Sequence, residues 1–216
     1  MKVDKSSMLL YAVTDRAWLG ENSLTQQVEE AVKAGVTFVQ LREKDLDYDA
    51  FLIQAKEIKR VTDKLKVPFV INDNIDVAIA CNADGVHVGQ KDMAAGDVRA
   101  RLGADKIIGV SAQTVEQAVF AEKNGADYLG VGAVFSTSTK LDAETVSFDT
   151  LKEICNSVSI PVVAIGGISE QNILKLKGTG IDGIAVVSAI FAQKDIYSAS
   201  QRLAELTREM LGEYSK

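Results

Sequence analysis

Short apolar runs alternate with longer segments of helical spacing along the whole chain. In those longer segments apolar residues recur three and four positions apart, which is typical of amphipathic helices. The runs between them are rich in Val, Ile, Leu and Ala, as in buried strands. The predicted strands are residues 8–13, 37–41, 67–71, 84–88, 107–110, 128–131, 160–165 and 183–187. The predicted helices are residues 23–34, 48–64, 75–81, 97–102, 114–124, 148–155, 169–177 and 196–214.

This alternation predicts the α/β fold class, with a parallel sheet that helices cover. A weak repeat supports it, because residues 35–37, 83–85, 125–127 and 180–182 each close a helix and open a strand. Eight such units favour one (β/α)₈ TIM barrel domain over residues 1–216. The alternative is a doubly wound open sheet. No glycine-rich dinucleotide motif follows the first strand, which counts against that alternative.

Composition narrows the class of protein. The chain has 216 residues, 47% of them hydrophobic, which is enough for one buried core. A net charge of −6 argues against a nucleic-acid partner. The apolar run at residues 8–13 is too short for a signal peptide, and no run approaches the roughly 18 residues of a membrane span. Cys81 and Cys155 are far apart, as expected for reduced thiols, so we expect a cytoplasmic protein without a membrane partner.

The second predicted strand has an unusual polar face. Side chains on a strand alternate between its two sides, so Val39 and Leu41 point one way. Gln40, Arg42 and Lys44 point the other way. Unpaired charge is costly to bury, and this face therefore indicates an anion-binding site. The alternative is an edge strand whose polar side faces solvent.

Polar residues collect where the predicted strands end. In a (β/α)₈ barrel the active site lies at the carboxyl ends of the strands, so these side chains should meet in one place. The strand ends carry Lys44, Asn72, Asp73, Asp92, Ser111, Thr137, Thr139, Lys140, Gly167 and Ser188.

Two of these strand ends suggest phosphate binding. Gly166 and Gly167 precede a predicted helix, and Ser188 follows the last strand, which matches the phosphate site common in such barrels. A tight turn that needs glycine is the alternative. The hydroxyl-rich loop at residues 137–140 ends in Lys140 and suggests a phosphate clamp or lid, although a flexible polar loop would look similar.

Asp73 and Asp92 end neighbouring strands and should lie close together. Two carboxylates beside phosphate oxygens would suit Mg²⁺, and helix capping is the alternative for each.

His87, the only histidine, alternates with Gly85 and Gly89 on its strand, which favours inward packing over acid–base chemistry.

Several segments together resemble the thiamine-phosphate synthase family, in that family's order and over nearly the whole chain up to Phe191. The segments are residues 11–15, 40–44, 71–73, 85–90, 109–111, 135–140, 164–168 and 187–190. One departure is Ser136, where the family usually has proline. The resemblance implies a Mg²⁺-dependent barrel enzyme that joins 4-amino-5-hydroxymethyl-2-methylpyrimidine diphosphate to 4-methyl-5-(2-phosphoethyl)thiazole and releases pyrophosphate.

The resemblance also implies roles for individual residues. The pyrimidine diphosphate would be bound by Gln40, Arg42, Lys44 and Asn72, with Ser111 and Lys140 on its diphosphate. The thiazole phosphate would be held by Thr137, Thr139, Gly167, Val187 and Ser188, and Mg²⁺ by Asp73 and Asp92. The catalytic set would be Arg42, Lys44, Ser111 and Lys140.

Two other functions stay open at this point. One is the thiazole tautomerase paralogue, whose proton shift would need an acid–base group such as His87. The other is a barrel that binds a phosphate ligand without catalysis. The sequence does not fix the oligomeric state, so a homo-oligomer also stays open.

Overall fold

A closed barrel of parallel strands forms the centre of the molecule. The computed structural model describes residues 3–20, 22–89, 98–136 and 145–212. Within these residues eight strands pair in chain order, and the last strand pairs with the first. The strands are β1 Leu10–Val13, β2 Phe38–Leu41, β3 Phe69–Asn72, β4 Gly85–Val88, β5 Ile107–Ala112, β6 Tyr128–Val131, β7 Val162–Ile165 and β8 Gly183–Val186. The predicted (β/α)₈ barrel is therefore confirmed.

Helices follow the strands on the outside of the barrel. The α-helices are α1 Leu24–Lys33, α2 Tyr48–Leu65, α3 Ile75–Ala80, α4 Val98–Leu102, α5 Val115–Lys123, α6 Phe148–Ser157, α7 Ser188–Phe191 and α8 Ile196–Leu211. Short 3₁₀ helices span Lys5–Met8, Arg16–Trp18 and Ile173–Leu176. In the described part of the chain no helix is both long and apolar enough to cross a membrane.

Local sequence accounts for the start and end of α1. The Ser23 hydroxyl accepts from the Gln26 backbone N–H, and the Gln26 side chain accepts from the Ser23 N–H, which is a reciprocal capping box. Gly35, with φ of 118°, follows the last turn. The helix predicted over residues 23–34 is therefore confirmed.

The predicted helix over residues 169–177 is wrong. Only the 3₁₀ turn Ile173–Leu176 forms there. The reason is Asn172, whose side-chain oxygen accepts from the Ser169 N–H and whose amide nitrogen donates to the Gly167 carbonyl, both at 2.8 Å. These bonds hold the segment in a turn, because a short amide side chain offers the backbone an alternative to helical pairing. The short helix α7, Ser188–Phe191, was not predicted from the sequence.

The barrel interior is filled by a separate cluster of large side chains. It comprises Met8, Tyr11, Val13, Phe38, Val70, Ile107, Tyr128, Val163 and Ala185. The rings of Tyr11, Phe38 and Tyr128 meet edge to face, with centroids 4.7 to 5.8 Å apart. Such contacts add to the stabilisation that burial itself gives. The interior is thus more aromatic than the branched aliphatic packing usual in these barrels.

A glycine on β5 makes room for one of these rings. A Cβ built on Gly109 would lie 2.1 Å from Cζ of Tyr128, a residue that pairs with Gly109 in the β5–β6 register. Because the ring is enclosed, it has nowhere to move.

We therefore expect Gly109→Ala to lower the free energy of unfolding by about 3 kcal/mol or more, as overpacking does in a dense core. Gly20→Ala is the control, since a Cβ there would meet nothing within 4 Å. Urea unfolding of both variants checks this expectation. Equal stability of the two variants would contradict the packing described for Tyr128.

Candidate functional site

The carboxyl ends of the strands surround one large cavity of about 1180 Å³. Nine residues predicted for the site line it, namely Gln40, Arg42, Lys44, Asn72, Asp73, Ser111, Gly167, Val187 and Ser188. The structure therefore brings together residues that are up to 148 positions apart in the chain, from Gln40 to Ser188 (188 − 40). Asp92, Thr137, Thr139 and Lys140 lie outside the described residues, so their places in the site remain predictions.

The segment after β2 brings two cations to the cavity. The Arg42 backbone N–H donates to the Thr14 hydroxyl at 3.0 Å, which ties this segment to the end of β1. The nearby acid, Glu43, forms a two-point ion pair with Arg16, at 2.8 and 3.1 Å. Its side chain is only 2% exposed. Neither Arg42 nor Lys44 forms an ion pair with an acid in the described part of the chain, so their charge is directed at the cavity.

The segment after β3 turns Asp73 into the cavity. Asp73 has a left-handed backbone, with φ of 58°, and its N–H donates to the His87 carbonyl at 2.9 Å. The N-cap of α3 is Asn74, whose side chain accepts from the Val77 N–H. Helix capping therefore does not explain Asp73. The Asn72 amide donates to its carboxylate at 2.6 Å, which orients the oxygens.

A chain of hydrogen bonds crosses the barrel interior beneath the cavity. The Gln40 amide nitrogen donates to the Tyr11 hydroxyl, which lies 2.8 Å from the Tyr128 hydroxyl. The Tyr128 hydroxyl lies 3.0 Å from Nδ1 of His87. Nε2 of His87 lies 3.0 Å from the hydroxyl of Ser111, which is exposed to the cavity. The chain thus ends at a cavity-lining residue on both sides.

Burial sets the protonation states in this chain. It lowers the pKa of His87 to about 4, so the imidazole is neutral at pH 7. Burial also raises the pKa of Tyr11 and Tyr128 above the usual value for phenols, so both hydroxyls keep their protons. The predicted inward position of His87 is confirmed. Sequence reasoning missed the two tyrosines, although both stand at inward positions of their strands.

The two glycines after β7 line the cavity and also pack against the segment that follows β6. Gly166 and Gly167 have φ of 101° and 64°. A Cβ on Gly167 would lie 2.3 Å from the Ser136 carbonyl oxygen, and the Phe135 N–H donates to the Gly166 carbonyl at 3.1 Å. Glycine is therefore needed for the chain after β6 to pass here. Because the helix predicted at residues 169–177 is a turn, the helix dipole expected behind Gly167 is absent.

Further cavity residues were not predicted. Asp76 and Arg101 form an ion pair at 2.5 Å and both line the cavity, as do Gln113 and Gln117. Their signal in the sequence is weak, because charged residues on helices are normally solvated. Among the described residues no three His, Cys, Asp or Glu side chains cluster as a metal site would require, but Asp92 lies outside that set.

The neutral state of His87 predicts a pH effect on stability. Its pKa in the fold, about 4, is below the ordinary value of 6.5, so the unfolded chain binds more protons between these pH values. The folded state therefore loses on the order of 3 kcal/mol as the pH falls from 6.5 to 4. Unfolding at several pH values should show this loss, and His87→Gln should remove it. Parallel pH curves for the two proteins would show that the imidazole is not held neutral.

Taken together, the barrel and the cavity that Arg42 and Lys44 line define a (β/α)₈ protein with a cationic site at the carboxyl ends of its strands. Comparison with known sequences specifies the family. The thiamine monophosphate synthase family matches over residues 10–190. The thiamine-phosphate synthase of Clostridium tetani is 53% identical over 200 residues, covering 93% of this chain and 96% of that protein. That of Ruminiclostridium cellulolyticum is 54% identical over 202 residues, covering 94% and 96%. The chain belongs to the thiamine monophosphate synthase family, as the sequence resemblance implied.

Solved structures agree. The thiamine phosphate pyrophosphorylase of Pyrococcus furiosus superposes with a TM-score of 0.84 at 36% identity, covering 96% of this chain and 99% of that one. The (S)-3-O-geranylgeranylglyceryl phosphate synthase of Thermoplasma acidophilum superposes with a TM-score of 0.69. At 16% identity, the second likeness shows the shared barrel alone.

Proposed function

We propose that this protein is a thiamine-phosphate synthase, a transferase that joins the pyrimidine diphosphate to the thiazole phosphate and releases pyrophosphate. The observation that carries the proposal is the convergence of Arg42, Lys44, Asp73 and Ser111 on one cavity. Membership of the family and the matching curated relatives support it. Its binding partners are therefore two small phosphorylated substrates. We also propose that the protein is located in the cytoplasm.

The chemistry needs charge neutralisation at the leaving group. The pyrimidine methylene carbon ionises as its bond to the diphosphate oxygen breaks, and the electron-rich aminopyrimidine stabilises the cation that forms. Arg42 and Lys44 hold the departing negative charge, which stabilises the transition state more than the ground state. Ser111 donates a hydrogen bond to the diphosphate. The thiazole nitrogen then attacks the carbon, and the cavity holds the two reactants in line.

No general base is required in this reaction, because the attacking thiazole nitrogen carries no proton. The state of His87 fits this requirement. Its two ring nitrogens face the hydroxyls of Tyr128 and Ser111, and burial keeps it neutral. This engagement gives no support to the tautomerase alternative, in which His87 would have to exchange a proton with substrate.

The residues present fit a magnesium ion. Asp73 offers a carboxylate to the cavity, and Mg²⁺ typically takes one or two protein carboxylates together with water and phosphate oxygens. Asp92 would supply the second carboxylate. When bound, the ion supplies positive charge to the diphosphate oxygens. The Asn72 amide donates to the Asp73 carboxylate and so orients this side chain at the cavity.

The other phosphate is assigned to the opposite side of the cavity. Gly167, Val187 and Ser188 line that side, at the ends of β7 and β8. Thr137 and Thr139 would add hydroxyl donors to the thiazole phosphate, and Lys140 would reach the diphosphate.

Lys44→Ala should lower kcat by about 100-fold or more, since it removes one charge that stabilises the departing diphosphate. Pyrophosphate release from both substrates measures the rate. Lys56→Ala is the matched control, because Lys56 is exposed on α2. A Lys44→Ala protein with near wild-type kcat/KM would place the diphosphate elsewhere.

Asp73→Asn should raise the Mg²⁺ concentration that gives half-maximal rate, since an amide is a poorer ligand than a carboxylate. Asp149→Asn, an exposed aspartate in the first turn of α6, should leave that concentration unchanged. Titration of activity with MgCl₂ compares them. An unaltered requirement in Asp73→Asn would remove this residue from the metal site.

A further inference from the structure

The hydrogen-bond chain in the barrel links two cavity residues that lie on different strands. It runs from Gln40 on β2 through Tyr11, Tyr128 and His87 to Ser111 on β5. The first four members are at most 9% exposed. Buried polar groups of this kind keep their partners, because an unsatisfied donor or acceptor is costly away from water.

Counting hydrogens shows that the chain has only two complete arrangements. Each tyrosine hydroxyl has one hydrogen, and a neutral imidazole has one N–H and one acceptor nitrogen. A member that accepts from one neighbour must therefore donate to the other. If the direction of one bond is fixed, every bond in the chain is fixed.

In the first arrangement the donors point from Gln40 towards Ser111. The Gln40 amide nitrogen donates to Tyr11, Tyr128 donates to Nδ1, and His87 donates from Nε2 to Ser111. The hydroxyl of Ser111 then directs its own hydrogen away from the chain. In the second arrangement all directions reverse, so that Ser111 donates to Nε2 and Gln40 presents its amide oxygen to Tyr11. The structure places the Gln40 nitrogen against Tyr11, which corresponds to the first arrangement.

We propose that Tyr11, Tyr128 and His87 are positioning residues that couple the amide orientation of Gln40 to the hydrogen-bonding direction of Ser111. This inference rests on the proposed function, in which Ser111 meets a diphosphate. Phosphate oxygens at neutral pH chiefly accept hydrogen bonds, so Ser111 must donate to them, and only the first arrangement allows that. When the diphosphate is bound, the hydrogen-bond chain therefore keeps the Gln40 amide nitrogen against the Tyr11 hydroxyl. No net proton transfer is involved.

The tautomer of His87 reports the arrangement directly. Because the protein contains one histidine, ¹⁵N spectra of untagged, histidine-labelled protein contain a single imidazole. We expect the Nε2–H tautomer in the wild-type protein, with and without magnesium pyrophosphate. Gln40→Glu should convert it to the Nδ1–H tautomer, because an ionised carboxylate only accepts and so reverses every bond. Spectra at pH 7 to 9 make this comparison.

Breaking the chain should abolish this response. With Tyr128→Phe added, the tautomer should be the same whether residue 40 is Gln or Glu. Tyr11→Phe provides a second interruption if the Tyr128 variant does not fold. A wild-type Nδ1–H tautomer, or an Nε2–H tautomer kept by Gln40→Glu across that pH range, would overturn the proposal. The spectra need no turnover, so failure of the coupling is distinguishable from failure of the proposed function.

Kinetics separate positioning from mere stability. We expect Tyr128→Phe to lower kcat/KM for the pyrimidine diphosphate about tenfold, within the range of coupling between neighbouring groups, and to leave KM for the thiazole phosphate within about twofold. Thr207→Val is the control, since it removes a buried hydroxyl that donates to the Leu203 carbonyl within α8. An equal loss in the two variants would assign Tyr128 to stability alone.

Discussion

The site depends on one constraint, that polar groups enclosed by the barrel must satisfy one another. Gln40, Tyr11, Tyr128 and His87 occupy positions that branched aliphatic residues fill in most barrels, and each finds a partner. Gly109 and Gly130 make this arrangement fit, since a Cβ on either would approach the Tyr128 or His87 ring. The same side chains therefore provide both packing and hydrogen bonding, because their aromatic rings fill the interior while their polar atoms form the bonds beneath the cavity.

Charge is arranged by the same principle at the cavity mouth. Glu43 stands between Arg42 and Lys44 in the chain, yet its carboxylate pairs with Arg16 on the neighbouring loop. The pair ties two loops together, and it gives the acid that stands between the two cations a cationic partner of its own. Under the proposed function, an anionic substrate meets the positive charge of Arg42 and Lys44 in the cavity. Under the same proposal, these two cations favour phosphorylated substrates.

Much of the fold and part of the site could be predicted from sequence. Parallel strands buried on both faces give apolar runs, and residues at their ends must share one rim, so the order of residues alone was enough to group Arg42, Asp73 and Ser111. The segment from Ser169 to Leu176 could not be predicted, because one amide side chain, Asn172, decides between helix and turn. The hydrogen-bond partners of His87 could not be predicted either, since they depend on the register of three strands and on which inward aromatic residue carries a hydroxyl.

Under the proposed function, this protein joins the two phosphorylated substrates in its cavity. The most direct measurement incubates the purified protein with the pyrimidine diphosphate, the thiazole phosphate and MgCl₂, and quantifies thiamine phosphate and pyrophosphate by chromatography. Equal amounts of the two products, formed only when both substrates are present, are the expected result. A protein that binds both substrates and forms neither product would contradict the claim and identify a barrel that binds phosphate ligands without catalysis.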